Sequence, residues 1–188
     1  MKYYHNLYLS EGFHDKKDRL IEKLERGQIQ LNKYLVVLTK SDVNHLEFFD
    51  SVLLKQNVFR QEELFLIGIA DGYFGALEMV EKITQEVYDR TKGTDIRSYL
   101  LETQKEYEDY IKYRDGYKKF KKKVLDIIAN EPNILQKDIR KHIDDEFWHK
   151  YISKLMKELA DNGDIIREKF GNTYKITIKV QEESICQH

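Results

Sequence analysis

The stretch 117–179 reads YKKFKKKVLDIIANEPNILQKDIRKHIDDEFWHKYISKLMKELADNGDIIREKFGNTYKITIK, and its apolar spacing predicts three helices followed by a two-stranded ribbon. Val124, Leu125, Ile127 and Ile128 put apolar side chains on one helical face after a run of five lysines. Pro132 closes that helix, because its nitrogen has no hydrogen to donate. A second, short helix over 135–143 buries Leu135, Ile139 and Ile143 and turns Gln136, Lys137, Arg140 and Lys141 to water. Asp144, Asp145 and Glu146 come next, and an aspartate there caps the third helix and complements its dipole. This helix turns Phe147 or Trp148, Ile152, Leu155 and Leu159 inward, and His149, Lys150, Ser153, Lys154 and Lys157 outward. Gly163 suits the left-handed position that ends it, and Gly171-Asn172 supplies the positive φ angles of a tight hairpin.

This order of elements, with LADNGDII at 159–166 joining the third helix to the ribbon, resembles the winged helix-turn-helix in the C-terminal half of many bacterial transcriptional regulators. The resemblance implies that the third helix enters the major groove of double-stranded DNA with His149, Lys150, Ser153, Lys154 and Lys157. It places Arg167, Lys169, Asn172 and Lys175 of the wing on the backbone or in the minor groove. Lys118, Lys119, Lys121, Lys122 and Lys123 add phosphate contacts in the same reading. Winged helices also serve as protein-docking modules, so a non-catalytic interaction adaptor is the alternative.

At 188 residues and 22.6 kDa the chain has room for two small domains. A composition 41% hydrophobic and 35% charged, with one proline, predicts folded and water-soluble domains without long disordered linkers. Charge divides unevenly: residues 117–180 carry 15 Lys and Arg against 10 Asp and Glu, and residues 1–116 carry 17 against 21. A basic module joined to an acidic one fits a protein of which one part meets phosphates. The bland reading of the same numbers is ordinary surface variation.

Upstream, Tyr3–Leu9 alternates as a half-buried strand, and Ser10 is placed to cap a helix that buries Phe13, Leu20, Ile21 and Leu24. YLVVL at 34–38 is apolar on both faces, as in a central strand, and a hairpin leads to a third strand at 45–49. Residues 50–63 suggest a short helix around Val52 to Leu54. LFLIGI at 64–69 is another buried strand. A helix over 73–90 then places Tyr73, Leu77, Val80, Ile83 and Val87 on one side. The expected architecture is therefore mixed, α+β or α/β: a small open α/β sheet domain (1–94), a Tyr-rich helical connector capped by Asp95 (95–116), the winged helix-turn-helix (117–180) and a flexible tail (181–188). Gly116 is the expected boundary. The tyrosines of the connector pack either within the chain or against a second copy in a homodimer.

Chemistry beyond binding finds little support in the residues. Gly68 to Gly75 joins a strand to a helix, where nucleotides bind in many α/β folds, but it fits neither G-x-G-x-x-G nor a P-loop, and a tight turn explains it equally. Glu47, Asp50 and Lys55 lack the spacing of a metal-dependent nuclease. No His-x-x-x-His or Cys-x-x-Cys occurs, and no G-x-S-x-G surrounds a serine. No catalytic role, cofactor or metal is expected. The single cysteine, Cys186, forms no internal disulfide, and the longest apolar run, Leu64 to Ala70, is too short to span a membrane, so a cytoplasmic location is expected. On this reading the protein is a DNA-binding regulator whose N-terminal domain oligomerises or senses a ligand or protein partner.

Overall fold

The computed structural model describes residues 1–28, 30–41, 45–56 and 64–179; the expected tail at 181–188, with Cys186 and His188, and residues 57–63 of the ambiguous 50–63 segment lie outside them, while the short helix expected around Val52 to Leu54 is a 3-10 turn over Ser51–Lys55. The chain mixes helices with one four-stranded and one three-stranded sheet, and it divides into two units, Met1–Asp109 and Tyr110–His188.

In the first unit, β1 (Lys2–Leu9), β2 (Lys33–Leu38), β3 (Leu46–Asp50) and β4 (Phe65–Asp71) form a sheet in the order β1-β4-β2-β3. β4 runs parallel to β1 and antiparallel to β2, and β2 and β3 pair as the expected antiparallel neighbours. Both faces are covered. Leu35 and Val37 join Leu7, Phe13, Leu20 and Leu24 beneath α1 (Lys17–Glu25), while Val36 and Leu38 join Tyr4, Tyr8 and α2 (Gly72–Thr91) on the other face. The β2–β4 register slips at Ile67, which leaves Leu66 and Ile69 on the first face and Ile67 and Ala70 on the second.

α2 buries Ala76, Met79, Ile83 and Val87, whereas Tyr73 and Leu77, expected inside, are 50% and 42% exposed. The helix follows β4 without a loop, so the strand fixes its phase and turns a different stripe to the sheet. Tyr73 packs edge-on to Tyr34 and Phe48 instead, with centroids 6.0 and 5.4 Å away. The expected cap at Ser10 also differs. The Ser10 hydroxyl accepts from the Asp71 N–H at 3.0 Å and caps no helix, and the Asp71 carboxylate pairs with Lys33 at 2.7 Å.

The helix α3 (Ile96–Asn130) starts at the expected Asp95 cap, whose Oδ1 accepts from the Ser98 N–H at 3.0 Å. It then runs unbroken through Gly116, where a boundary was expected; residues 96–109 belong to the first unit and 110–130 to the second. The reason for a glycine is close packing. A Cβ there would lie 2.5 Å from Cζ2 of Trp148, whose indole stacks on Phe120 with centroids 4.7 Å apart.

The second unit packs the end of α3 with α4 (Gln136–Ile139) and α5 (Ile152–Asp161) on a sheet of order β5-β7-β6, where β5 is Ile134–Leu135, β6 Ile165–Phe170 and β7 Thr173–Ile178. Its core contains Phe120, Val124, Ile128, Ile139, Trp148, Leu155, Met156, Leu159 and Ile176. The ribbon thus has a third, two-residue strand where a helix was expected to begin, and Ile134, not Leu135, is the buried residue of the pair. The second helix shrinks to one turn followed by a 3-10 turn at Arg140–His142. At the hairpin only Gly171 is left-handed, with φ of 57°; Asn172 is not, so one positive φ suffices for this two-residue turn.

Gly116→Ala should lower stability although alanine is the better helix former by about 1 kcal/mol. Overfilling a packed site costs about 1–3 kcal/mol, and the stacked indole has little room to yield; Gly116→Val should cost more. Denaturant unfolding followed by circular dichroism checks this, and an alanine variant as stable as the parent would mean that Trp148 moves aside freely.

Candidate nucleic-acid interface

Within the Tyr110–His188 unit, a 3-10 segment, Glu146–Tyr151, leads directly into α5. Asp145 caps it, its Oδ1 accepting from the Phe147 N–H at 3.1 Å. Burial of Trp148, Ile152, Leu155, Met156 and Leu159 fixes the phase of the whole element. The opposite face then carries Lys150, Ser153, Lys154 and Lys157, all exposed and spaced at three, four and seven residues.

Aromatic rings support two of these lysines from below. The Lys150 ammonium sits 4.7 Å from the Phe147 ring centroid and 5.2 Å from that of Tyr151, and Lys154 lies 5.6 Å over Tyr113. Such contacts are worth about 0.5–1 kcal/mol at exposed sites, little enough for a phosphate to draw the ammonium away. His149 faces the other way. Half-buried, its Nε2 lies 2.9 Å from the Ile143 carbonyl oxygen, so the ring braces the turn before α5.

On the hairpin, Lys169 and Asn172 are exposed, and Lys175 lies 4.4 Å over Phe170. Arg167 is anchored. Its guanidinium lies 3.6 Å from the Tyr174 ring centroid and its Nε donates to Gln136 Oε1 at 3.0 Å, while Gln136 Nε2 donates to Ser153 Oγ at 3.3 Å. Gln136 therefore ties α4, α5 and the hairpin together. A groove of about 200 Å³ opens there, lined by Gln136, Lys137, Arg140, Ser153, Asn172 and Tyr174. The sequence pattern turned Gln136, Lys137 and Arg140 to water but gave no sign that they adjoin Ser153 and Asn172.

Of the three acidic residues ahead of α5, the two aspartates are matched by cations. Asp145 pairs with Lys112 at 2.8 Å and Asp144 with Lys123 at 3.1 Å, and these hydrogen-bonded ammoniums hold both carboxyls below their ordinary range. Lys121 bonds Glu158 at 3.3 Å, and the Tyr117 hydroxyl donates to the same carboxylate, which lies below its usual range chiefly because of that hydroxyl. Of the five-lysine run, Lys121 and Lys123 thus face acids of their own unit, while Lys118, Lys119 and Lys122 are exposed.

Among the described residues no group of three or more His, Cys, Asp or Glu is arranged to hold a metal ion, and no helix is long and apolar enough to cross a membrane. At the strand-to-helix junction considered for nucleotides, a Cβ on Gly68 would meet Met79 and Tyr8, so close packing of strand and helix accounts for this glycine.

The two aspartates should separate on mutation. Asp145→Ala removes a cap and an ion pair and should lower the melting temperature measurably; Asp145→Asn, which keeps the cap, should lower it less; Asp144→Ala, at a side chain 95% exposed, should leave it nearly unchanged. Thermal scans of the three variants check the order. No protein-family profile, curated protein or solved structure matches this chain.

Proposed function

We propose that the Tyr110–His188 unit is a winged helix-turn-helix and that the chain is a DNA-binding regulator acting in the cytoplasm. The observation that carries this reading is the exposed row formed by Lys150 of the 3-10 segment and Ser153, Lys154 and Lys157 of α5, adjoining a polar groove whose other wall is the hairpin. α5 lies along the major groove and the row meets phosphates and base edges, with Ser153 and Gln136 nearest the bases. Lys137 and Arg140 on α4, and Lys169 and Asn172 on the hairpin, take flanking phosphates. Arg167 and His149 position these elements from within. The pairing of Asp144 and Asp145 with Lys123 and Lys112 supports the reading, because it lowers the negative field where the backbone would approach.

The second reading is a protein-docking module. Ile166 and Phe170, four apart on β6, are 46% and 51% exposed and share one face of the ribbon. Two half-exposed side chains fall well short of the several hundred square ångströms that mark a docking patch, so DNA is preferred.

Fluorescence anisotropy of a mixed-sequence duplex at two salt concentrations tests this. Binding should weaken with salt, and the Lys150→Ala/Lys154→Ala/Lys157→Ala variant should flatten the slope of log K against log salt by about 0.9 for each lysine that meets a phosphate. Gln136→Ala should weaken binding with the slope unchanged. A folded protein that shows no binding at low salt removes the DNA reading and leaves the docking module.

A further inference from the structure

The Met1–Asp109 unit has an open cavity of about 590 Å³ where the start of β1, the end of β2, the start of β4 and the first turns of α3 meet. This volume lies within the roughly 300–1,000 Å³ typical of small-molecule sites. Its wall is two-sided in chemistry. Leu38, Phe65 and Leu101 make it apolar along one part, and Lys2, Lys40, Arg97 and Lys105 bring four cations to it. Glu108 is the one carboxylate among the described residues of the lining, and its Oε1 already accepts from Gln104 Nε2 at 2.8 Å.

Two of the polar groups are held in place. Arg97 Nη2 donates to the Thr39 carbonyl and, at 2.6 Å, to the Ser41 carbonyl, which fixes the guanidinium at the end of β2. Its Nε is buried and has no partner among the described residues. A guanidinium carries five N–H donors and keeps its charge at any ordinary pH, so a fixed arginine is suited to meet a carboxylate. Gln104 is fixed by the His5 N–H, which donates to its Oε1 at 2.8 Å. Leu101, in contrast, is 45% exposed on the lip of the cavity, an apolar side chain with half of its surface in water.

Four cations gathered on a concave wall of low polarity repel one another and concentrate a positive potential inside the cavity. A bare inorganic anion would answer the charge and leave the apolar wall wet; a neutral apolar molecule would do the reverse. We propose that this cavity binds a small organic anion with an apolar body, a medium-chain or aromatic carboxylate, with the carboxylate towards Arg97 and Lys105 and the body along Leu38, Phe65 and Leu101. The site belongs to the Met1–Asp109 unit alone and stands whether or not the other unit binds DNA.

The test is an amide NMR titration of the full chain with octanoate, with octyltrimethylammonium and with acetate, each below micelle-forming concentrations. Octanoate should move the signals of Lys40, Phe65, Arg97, Leu101 and Lys105 saturably. Lys2→Glu/Lys105→Glu and, separately, Leu101→Glu alter exposed positions and should preserve the native spectrum while weakening octanoate by at least about tenfold. Absence of shifts with octanoate, an equal response to the cationic amphiphile, an equal response to acetate, or unchanged affinity in both variants would each overturn the proposal.

Discussion

The indole of Trp148 packs into a space that only a residue without a side chain leaves on α3, and the arrangement of the C-terminal unit follows from that contact. Phe120 stacks on one face of the ring, Phe147 meets it edge-on with centroids 5.0 Å apart, and Gly116 lies beneath it. With the ring held from these sides, the 3-10 segment that carries it is fixed against α3. α5 continues from that segment without a break, so its rotation about its own axis is fixed as well. Ile152, Leu155, Met156 and Leu159 then face the core, and the lysines have no face left but the outer one.

Electrostatics refines this arrangement more than it stabilises it. Exposed ion pairs such as Lys112–Asp145 and Lys123–Asp144 add little to folding, because water screens them. Their larger effect is on the field outside. Each pair neutralises a carboxylate close to the start of α5, and each lysine involved comes from α3, a part of the chain that the core packing already holds in place. The same helix supplies both the glycine that admits the indole and the cations that balance the acids.

Much of this was legible in the sequence where one local rule governed the outcome. The strand YLVVL read as buried on both faces because it has no polar alternation, and it lies between β4 and β3 with a hydrophobic cluster on each side. Ile152, Leu155 and Leu159 announced the inner face of α5 by spacing alone, and with it the exposed lysines. What could not be read depended on partners distant in the chain. Gly116 looks like a boundary until Trp148, thirty-two positions later, is placed against it. Tyr73 and Leu77 match a helical stripe, but the phase of α2 is set by the strand it follows. Arg167 and His149 carry the residue types of a DNA contact, and only the positions of Gln136 and Ile143 show both turned to bracing roles.

The strand order of the first unit also dictates when its sheet can be completed. β4 lies between β1 and β2, yet it is the last of the four strands to leave the ribosome. Until Phe65–Asp71 is available, the β2–β3 hairpin presents to water the backbone edge that β4 will later occupy, and β1 has no neighbour. Pairing β1 with β4 closes a loop of some sixty residues, which places this sheet among slowly formed, non-local structures. An open strand edge with apolar residues on both faces invites pairing with other chains. The free edge of β2 is therefore the place where the incompletely folded unit is open to pairing with other chains until β4 docks.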